Sequence, residues 1–130
     1  MKLCNGQIKY IIAVYQLKKS GEKVRCVTIA NYLNVSRPSV SKTLRCLADC
    51  GLVYKNYCNS VEFTDEGIKV VDELMKNYNE IYIFFRQFLK LGNEQAQEHT
   101  IKFITEFPQA TCDRLKHLII TSVNKKSGKV

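Results

Sequence analysis

The stretch that most constrains this chain runs from Thr28 to Phe63, TIANYLNVSRPSVSKTLRCLADCGLVYKNYCNSVEF. Ile29, Ala30 and Leu33 make a short apolar stripe that stops at Asn34, a residue that tolerates the left-handed geometry closing a helix. Ser36 then supplies an N-cap, and Pro38 falls in the first turn of the next helix, where its missing N–H costs nothing. Val40, Leu44 and Leu47 recur at spacings of four and three, so one face of that helix is apolar and buried. The other face carries Arg37, Ser39, Ser41, Lys42 and Arg45, and Gly51 stands where a terminating glycine belongs. A helix with short hydroxyls and cations at its N-terminal end suits a DNA major groove. The β-prone runs Leu52-Val53-Tyr54 and Val61-Glu62-Phe63 flank the polar KNYCNS, which predicts a hairpin wing with Lys55, Asn56, Tyr57 and Asn59 at its tip, against phosphates. Each cation taken alone reads equally well as a solvated surface charge. It is the whole arrangement that points to a duplex.

Charge placement argues the same way. The 130 residues carry a net charge of +8, but residues 1–63 hold ten Lys and Arg against three acids (Glu22, Asp49, Glu62), whereas residues 64–130 hold ten against nine. The basic field belongs to the helix-turn-helix half, as a surface that displaces counterions from DNA requires. No apolar run approaches the roughly 18 residues of a membrane span, and MKLCNGQIKY contains no apolar core of a signal peptide. A cytoplasmic location without a membrane partner is expected. The six cysteines, at 4, 26, 46, 50, 58 and 112, form no CxxC pair and are expected to be reduced thiols, some in small core packing positions and others unselected. A metal or cluster site on Cys46, Cys50 and Cys58 is the alternative.

The flanking segments read as helices. Gln7–Leu17 presents a broad apolar face, Val24 lies in a connector with strand character, and Thr28 is placed to cap the first helix of the DNA-reading pair. After the wing, Thr64 caps a helix whose apolar residues recur from Ile68 to Leu89, a length of roughly 25 residues. Its end, IYIFFRQFL, is too aromatic for a solvated surface and is expected to pack on another subunit, or else to line a ligand pocket. Helices over Glu94–Phe107 and Ala110–Val123 follow, then a frayed basic tail at 124–130. The expected fold is mainly α: a winged helix-turn-helix of three helices plus a β-hairpin wing over residues 1–63, then a helical dimerisation unit over 64–130.

KYIIAVYQL, then IANYLNVSRPSVSKTLRCLADCGLV, then VEFTDEG, then a long helix reaching FLKLG resembles the diphtheria-toxin-repressor family of metal-dependent transcription regulators. The resemblance spans roughly residues 7 to 120 and is most specific in NVSRPSVSKTL and GLV…TDEG. It implies a homodimer on palindromic promoter DNA, with iron(II) or manganese(II) as corepressor between the first helix and the later ones. The recognition helix matches at Ser36, Arg37, Pro38, Ser39, Ser41, Lys42 and Arg45. The metal ligands do not: the first-helix positions read Lys9 and Ile12, the long-helix histidine falls at Tyr78, Asn79 or Glu80, and the later acid–histidine pair reads Ile104-Thr105. Glu98, His99 and Glu106 lie nearby as substitute candidates. His99 and His117 otherwise read as surface or partly buried histidines.

The reading is a homodimeric DNA-binding transcription regulator of the metal-dependent repressor type, its metal response altered, weakened or absent. Ser36 to Arg45, with Lys55 and Asn59 on the wing, form its DNA-binding set. Two other readings stay open: a cysteine or iron–sulfur-sensing winged-helix repressor, and a protein-interaction module that no longer reads DNA. No nucleophile–base constellation or glycine-rich phosphate loop argues for an enzyme.

Overall fold

Apolar residues spaced for helix decide the architecture, and among the described residues no extended sheet competes with them. The structure, a computed structural model, describes residues 3–127, with the backbone alone at residue 5 and residues 123–127. Its elements are α1 (Asn5–Lys19), α2 (Cys26–Leu33), α3 (Arg37–Asp49), α4 (Asp65–Ile83), a π-helical turn (Phe84–Phe88), α5 (Asn93–Glu106) and α6 (Gln109–Ser127). They fall into two compact units, one ending at Glu73 and the other beginning at Leu74. No described helix is long and apolar enough to cross a membrane.

In the first unit the α1 stripe of Ile11, Ile12 and Val14, the α2 residue Ile29 and the α3 residues Val40, Leu44 and Leu47 are all essentially inaccessible. Burying each such side chain is worth about 1.5–3 kcal/mol, so this three-helix core carries most of the unit's stability. Asn34 closes α2 at φ 57°, and Gly51 follows α3 at φ 80°, both in the left-handed region as their sequence contexts require. α2 begins two residues before the expected cap. Arg25 is therefore the N-cap, and Thr28, in the first turn, accepts the Arg25 backbone N–H at 3.3 Å.

The predicted β-hairpin wing is not formed as two strands. Among the described residues the segment holds a single antiparallel bridge, Val53 to Phe63, with the Tyr54 N–H on the Glu62 carbonyl at 3.0 Å. The tip takes the residues that further rungs would need: residues 55–59 fold as turns, with the Asn59 N–H on the Asn56 carbonyl at 3.1 Å. The Val61 N–H donates to the Val24 carbonyl at 2.8 Å, and the Lys18 ammonium donates to the Val61 carbonyl at 3.2 Å. Val24 thus meets the loop by one hydrogen bond instead of forming a strand, on the side of Val61 that faces away from residues 52–54.

At the far end of that loop Thr64 locks α4 in place. Its N–H donates to the Leu52 carbonyl at 3.0 Å, its hydroxyl donates to the Gly51 carbonyl, and its Oγ1 accepts the Gly67 N–H at 3.0 Å. Gly67 lies close against the Leu52 backbone: a Cβ there would lie 2.0 Å from the Leu52 carbonyl oxygen.

In the second unit Met75, Tyr78 and Ile81 of α4, Ala96 and Thr100 of α5, and Cys112 and Ile119 of α6 are buried. The Thr100 hydroxyl is satisfied within its own helix, by the Ala96 carbonyl at 2.6 Å. The long helix extends as far as its periodicity predicts, but its last five residues, Phe84–Phe88, wind as π-helix, with the Leu89 N–H on the Phe84 carbonyl at 3.1 Å. Lys90 then turns the chain at φ 60°. Of the basic tail, residues 124–127 continue α6, and residues 128–130 lie outside the described residues.

Candidate nucleic-acid interface

α3 begins with a full set of start signals. Ser36 Oγ accepts the Ser39 N–H at 3.3 Å and donates to Ser39 Oγ at 2.9 Å, and Pro38 sits in the first turn. With Val40, Leu44, Leu47 and Ala48 turned into the core, the rest of the helix faces outward. Arg37, Pro38, Ser39, Lys42 and Arg45 are exposed, and Ser41 is half-buried at the edge of the stripe. Lys55 and Asn59 are exposed in the turn at residues 55–59 that replaces the wing tip. The nine expected contact residues therefore occupy two segments, α3 and this turn, and Ser36 serves as a helix cap.

Their cations carry no ion pair, as is true of every described Lys and Arg except Lys18 and Lys116. Among the described residues Arg37, Lys42, Arg45 and Lys55 make no ion pair, whereas Lys18 is paired with Glu62 and Lys116 with Glu80 and Asp113. A cation with no protein partner is held by water and mobile counterions, which phosphates displace at an entropic gain. Lys18 is one residue whose structural part was not read from sequence: its distance from Glu62 along the chain hid the pairing.

The thiols are arranged differently from the core packing expected of them. Cys4, Cys46, Cys50 and Cys58 are exposed, Cys26 is half-buried and Cys112 buried, all as free thiols. Burial pushes the Cys26 thiol up from its ordinary 9.0, and the Cys58 thiol adds to the shift. Burial likewise raises Cys112, Asp113 adds to it, and Lys116 opposes it. Cys46 and Cys50 stand one turn apart, but no third thiol, imidazole or carboxylate joins them in a metal-capable group among the described residues.

Residues 3–58 match the model of the family described as "Iron dependent repressor, N-terminal DNA binding domain". Residues 3–58 are thus similar to the DNA-binding domain of iron-dependent repressors. Solved structures with a similar fold include the manganese regulator SloR, 22% identical, covering 92% of this chain and 54% of its own, with a TM-score of 0.71. The metal-dependent transcriptional regulator MtsR is 18% identical, covering 87% of this chain and 53% of its own, with a TM-score of 0.72. The hypothetical protein SSo2273 from Sulfolobus solfataricus is 24% identical and covers 90% of this chain and 89% of its own, with a TM-score of 0.59. The chain thus spans about half the length of SloR and MtsR. No curated protein matches it in sequence.

The description of the matching family names iron, so the donors have to be tested against a metal. First-row divalent ions take imidazole and carboxylate groups converging on a point. On α1, Lys9 is exposed and cationic, and Ile12 is a buried hydrocarbon. Ile104 and Thr105 offer one hydroxyl, and it is bonded to the Ile101 carbonyl at 2.8 Å. Glu98, His99 and Glu106 are exposed along α5, and His99 packs edge-on against Phe85 with ring centroids 5.7 Å apart. Among the described residues no three His, Cys, Asp or Glu side chains form a group able to hold a metal ion. The donor set does not fit a centre of the family type.

Proposed function

We propose that the chain is a transcription regulator of the metal-dependent repressor type that binds palindromic promoter DNA as a homodimer, with its metal response altered or lost. Residues 1–63 are the DNA-reading part and residues 64–130 the dimerising part. Arg37, Ser39 and Ser41 read base edges, Lys42, Arg45 and Lys55 meet phosphates, Pro38 and Asn59 border the contact, and Ser36 holds the helix start. The observation carrying this reading is the outward face of α3, whose three cations have no protein partner among the described residues. The domain match over residues 3–58 supports it.

The homodimer rests on the second unit, where Phe88, Leu89, Phe107 and Leu118 are 42%, 50%, 50% and 62% exposed. Apolar side chains in that number on 57 residues are what a subunit interface covers.

The test is a gel-shift series on duplexes selected by the protein from genomic fragments. Arg37→Ala and Arg45→Ala should each weaken binding about tenfold or more, at a cost of about 1–3 kcal/mol per lost contact. Lys42→Ala should weaken binding uniformly across sequences and lower the salt dependence by about one counterion. Unchanged affinity in both arginine variants removes α3 as the reading helix.

A further inference from the structure

Cys26 opens α2 and is half-buried, whereas Cys58 is exposed in the turn at residues 55–59. The fold sets their two segments side by side. The Val61 N–H on the Val24 carbonyl at 2.8 Å joins a point two residues before Cys26 to a point three residues after Cys58. The thiols themselves are neighbours, since Cys58 adds to the upward shift of the Cys26 thiol that burial begins. Both are free thiols.

A disulfide needs its Cα atoms within about 7 Å and its thiols turned toward each other. The adjustment falls to the turn, which is exposed at Lys55, Asn56, Cys58 and Asn59 and closed on itself by the Asn59 N–H on the Asn56 carbonyl at 3.1 Å. Moving it toward α2 disturbs little packing. The pair also divides the two roles that thiol oxidation needs: an exposed thiol meets the oxidant, and a shielded neighbour resolves the product. Cys46 and Cys50 are both exposed and lack that division, and Cys112 is buried in the other unit.

We propose that Cys26 and Cys58 are a peroxide-sensitive pair whose reversible disulfide clamps the turn at residues 55–59 to the start of α2. The Cys58 thiolate attacks one oxygen of hydrogen peroxide, the O–O bond breaks, hydroxide leaves and Cys58 becomes a sulfenic acid. The Cys26 thiolate then attacks that sulfur, the S–O bond breaks, the S–S bond forms and a second hydroxide leaves. The two thiol protons convert both hydroxides to water, and the two electrons lost by sulfur are those gained by peroxide. For DNA binding the clamp rests on the regulator reading above, because the turn carries Lys55 and Asn59. Drawing Cys58 inward withdraws both from the duplex.

The experiment treats the reduced full chain with a small excess of hydrogen peroxide, blocks the remaining thiols and maps tryptic peptides by mass. Residues 26–42 and 56–69 each form one tryptic peptide with a single cysteine, so their linked pair identifies the disulfide without DNA. The pair should form in the unaltered protein and in the double variant Cys46→Ser, Cys50→Ser, and dithiothreitol should remove it. Cys26→Ser should instead leave a sulfenic acid on Cys58 that dimedone traps. In a gel shift the linked form should bind duplex more weakly, with a salt dependence lower by about one counterion, the share of Lys55, and dithiothreitol should restore both. Three results overturn the proposal: Cys58 linked to Cys46, Cys50 or a second chain in place of Cys26; no linked pair at peroxide that oxidises Cys46; or a linked protein that binds duplex as the reduced one does. A reduced protein that binds no duplex overturns the regulator reading alone, and the peptide map still decides the disulfide.

Discussion

At the scale of single residues, partners decide more than residue type does. Lys18, Lys42 and Lys116 are chemically identical, yet one anchors the loop before α4, one faces solvent unpaired and one ties two helices together. The cysteines divide in the same way, by burial. Cys26 and Cys112 have thiol pKa values raised first by burial, so their reactive thiolate fraction near pH 8 is smaller than that of an ordinary thiol. Peptide mapping during timed alkylation should find Cys46, Cys50 and Cys58 modified well before Cys26 and Cys112; early loss of Cys112 would contradict its burial. The sign for stability follows from linkage. A raised thiol pKa means that the folded chain holds protons the unfolded chain releases, so this contribution is complete below about pH 9 and declines as pH rises through the folded values.

At the scale of elements, the GLV…TDEG motif has a physical explanation. Thr64 occupies the Gly51 and Leu52 carbonyls while capping α4, and Gly67 lets the first turn of α4 press against the Leu52 backbone. Gly67→Ala forces a Cβ to 2.0 Å from a carbonyl oxygen that cannot move without breaking the Thr64 contacts. Its cost should be about 1–3 kcal/mol, read as a drop in melting temperature of several degrees. Gly6→Ala is the control: the added Cβ meets nothing within 4 Å in α1, and a stabilisation of about 0.5–1 kcal/mol is expected. Equal melting temperatures for the two variants would show that the close approach at Leu52 does not exist. The π-helical turn belongs to this scale too. Five residues wind there with hydrogen bonds spanning five positions, and the Arg86 guanidinium on the Leu91 carbonyl at 2.9 Å secures the exit.

At the scale of the whole molecule, the second unit exposes the large apolar side chains Phe88, Leu89, Phe107, Leu118 and Ile120. If those side chains make the homodimer interface, Phe88→Glu and Leu118→Glu should each raise the dimer dissociation constant about tenfold or more, since a buried anchor residue is worth more than about 1 kcal/mol. Sedimentation at micromolar protein reads this directly, and a monomer in the unaltered protein would end the dimer reading. DNA affinity should fall as dimerisation is lost, because two half-sites bound through one protein gain effective concentration.

How much was legible in the sequence depended on how local the interaction was. Helix starts and stops at Ser36, Asn34, Gly51 and Thr64 follow from side chains acting within four residues, and all four stand in the structure where the sequence places them. The buried stripe of α3 follows from periodicity for the same reason. What the sequence left undetermined were choices between partners distant along the chain. Val61 bonds Val24; the wing holds one bridge; Lys116 reaches Asn77 and Glu80; four thiols face outward. Periodicity and capping are set by the chain's own geometry over one or two turns, whereas these pairings depend on which surfaces meet after folding, and only the tertiary structure decides that.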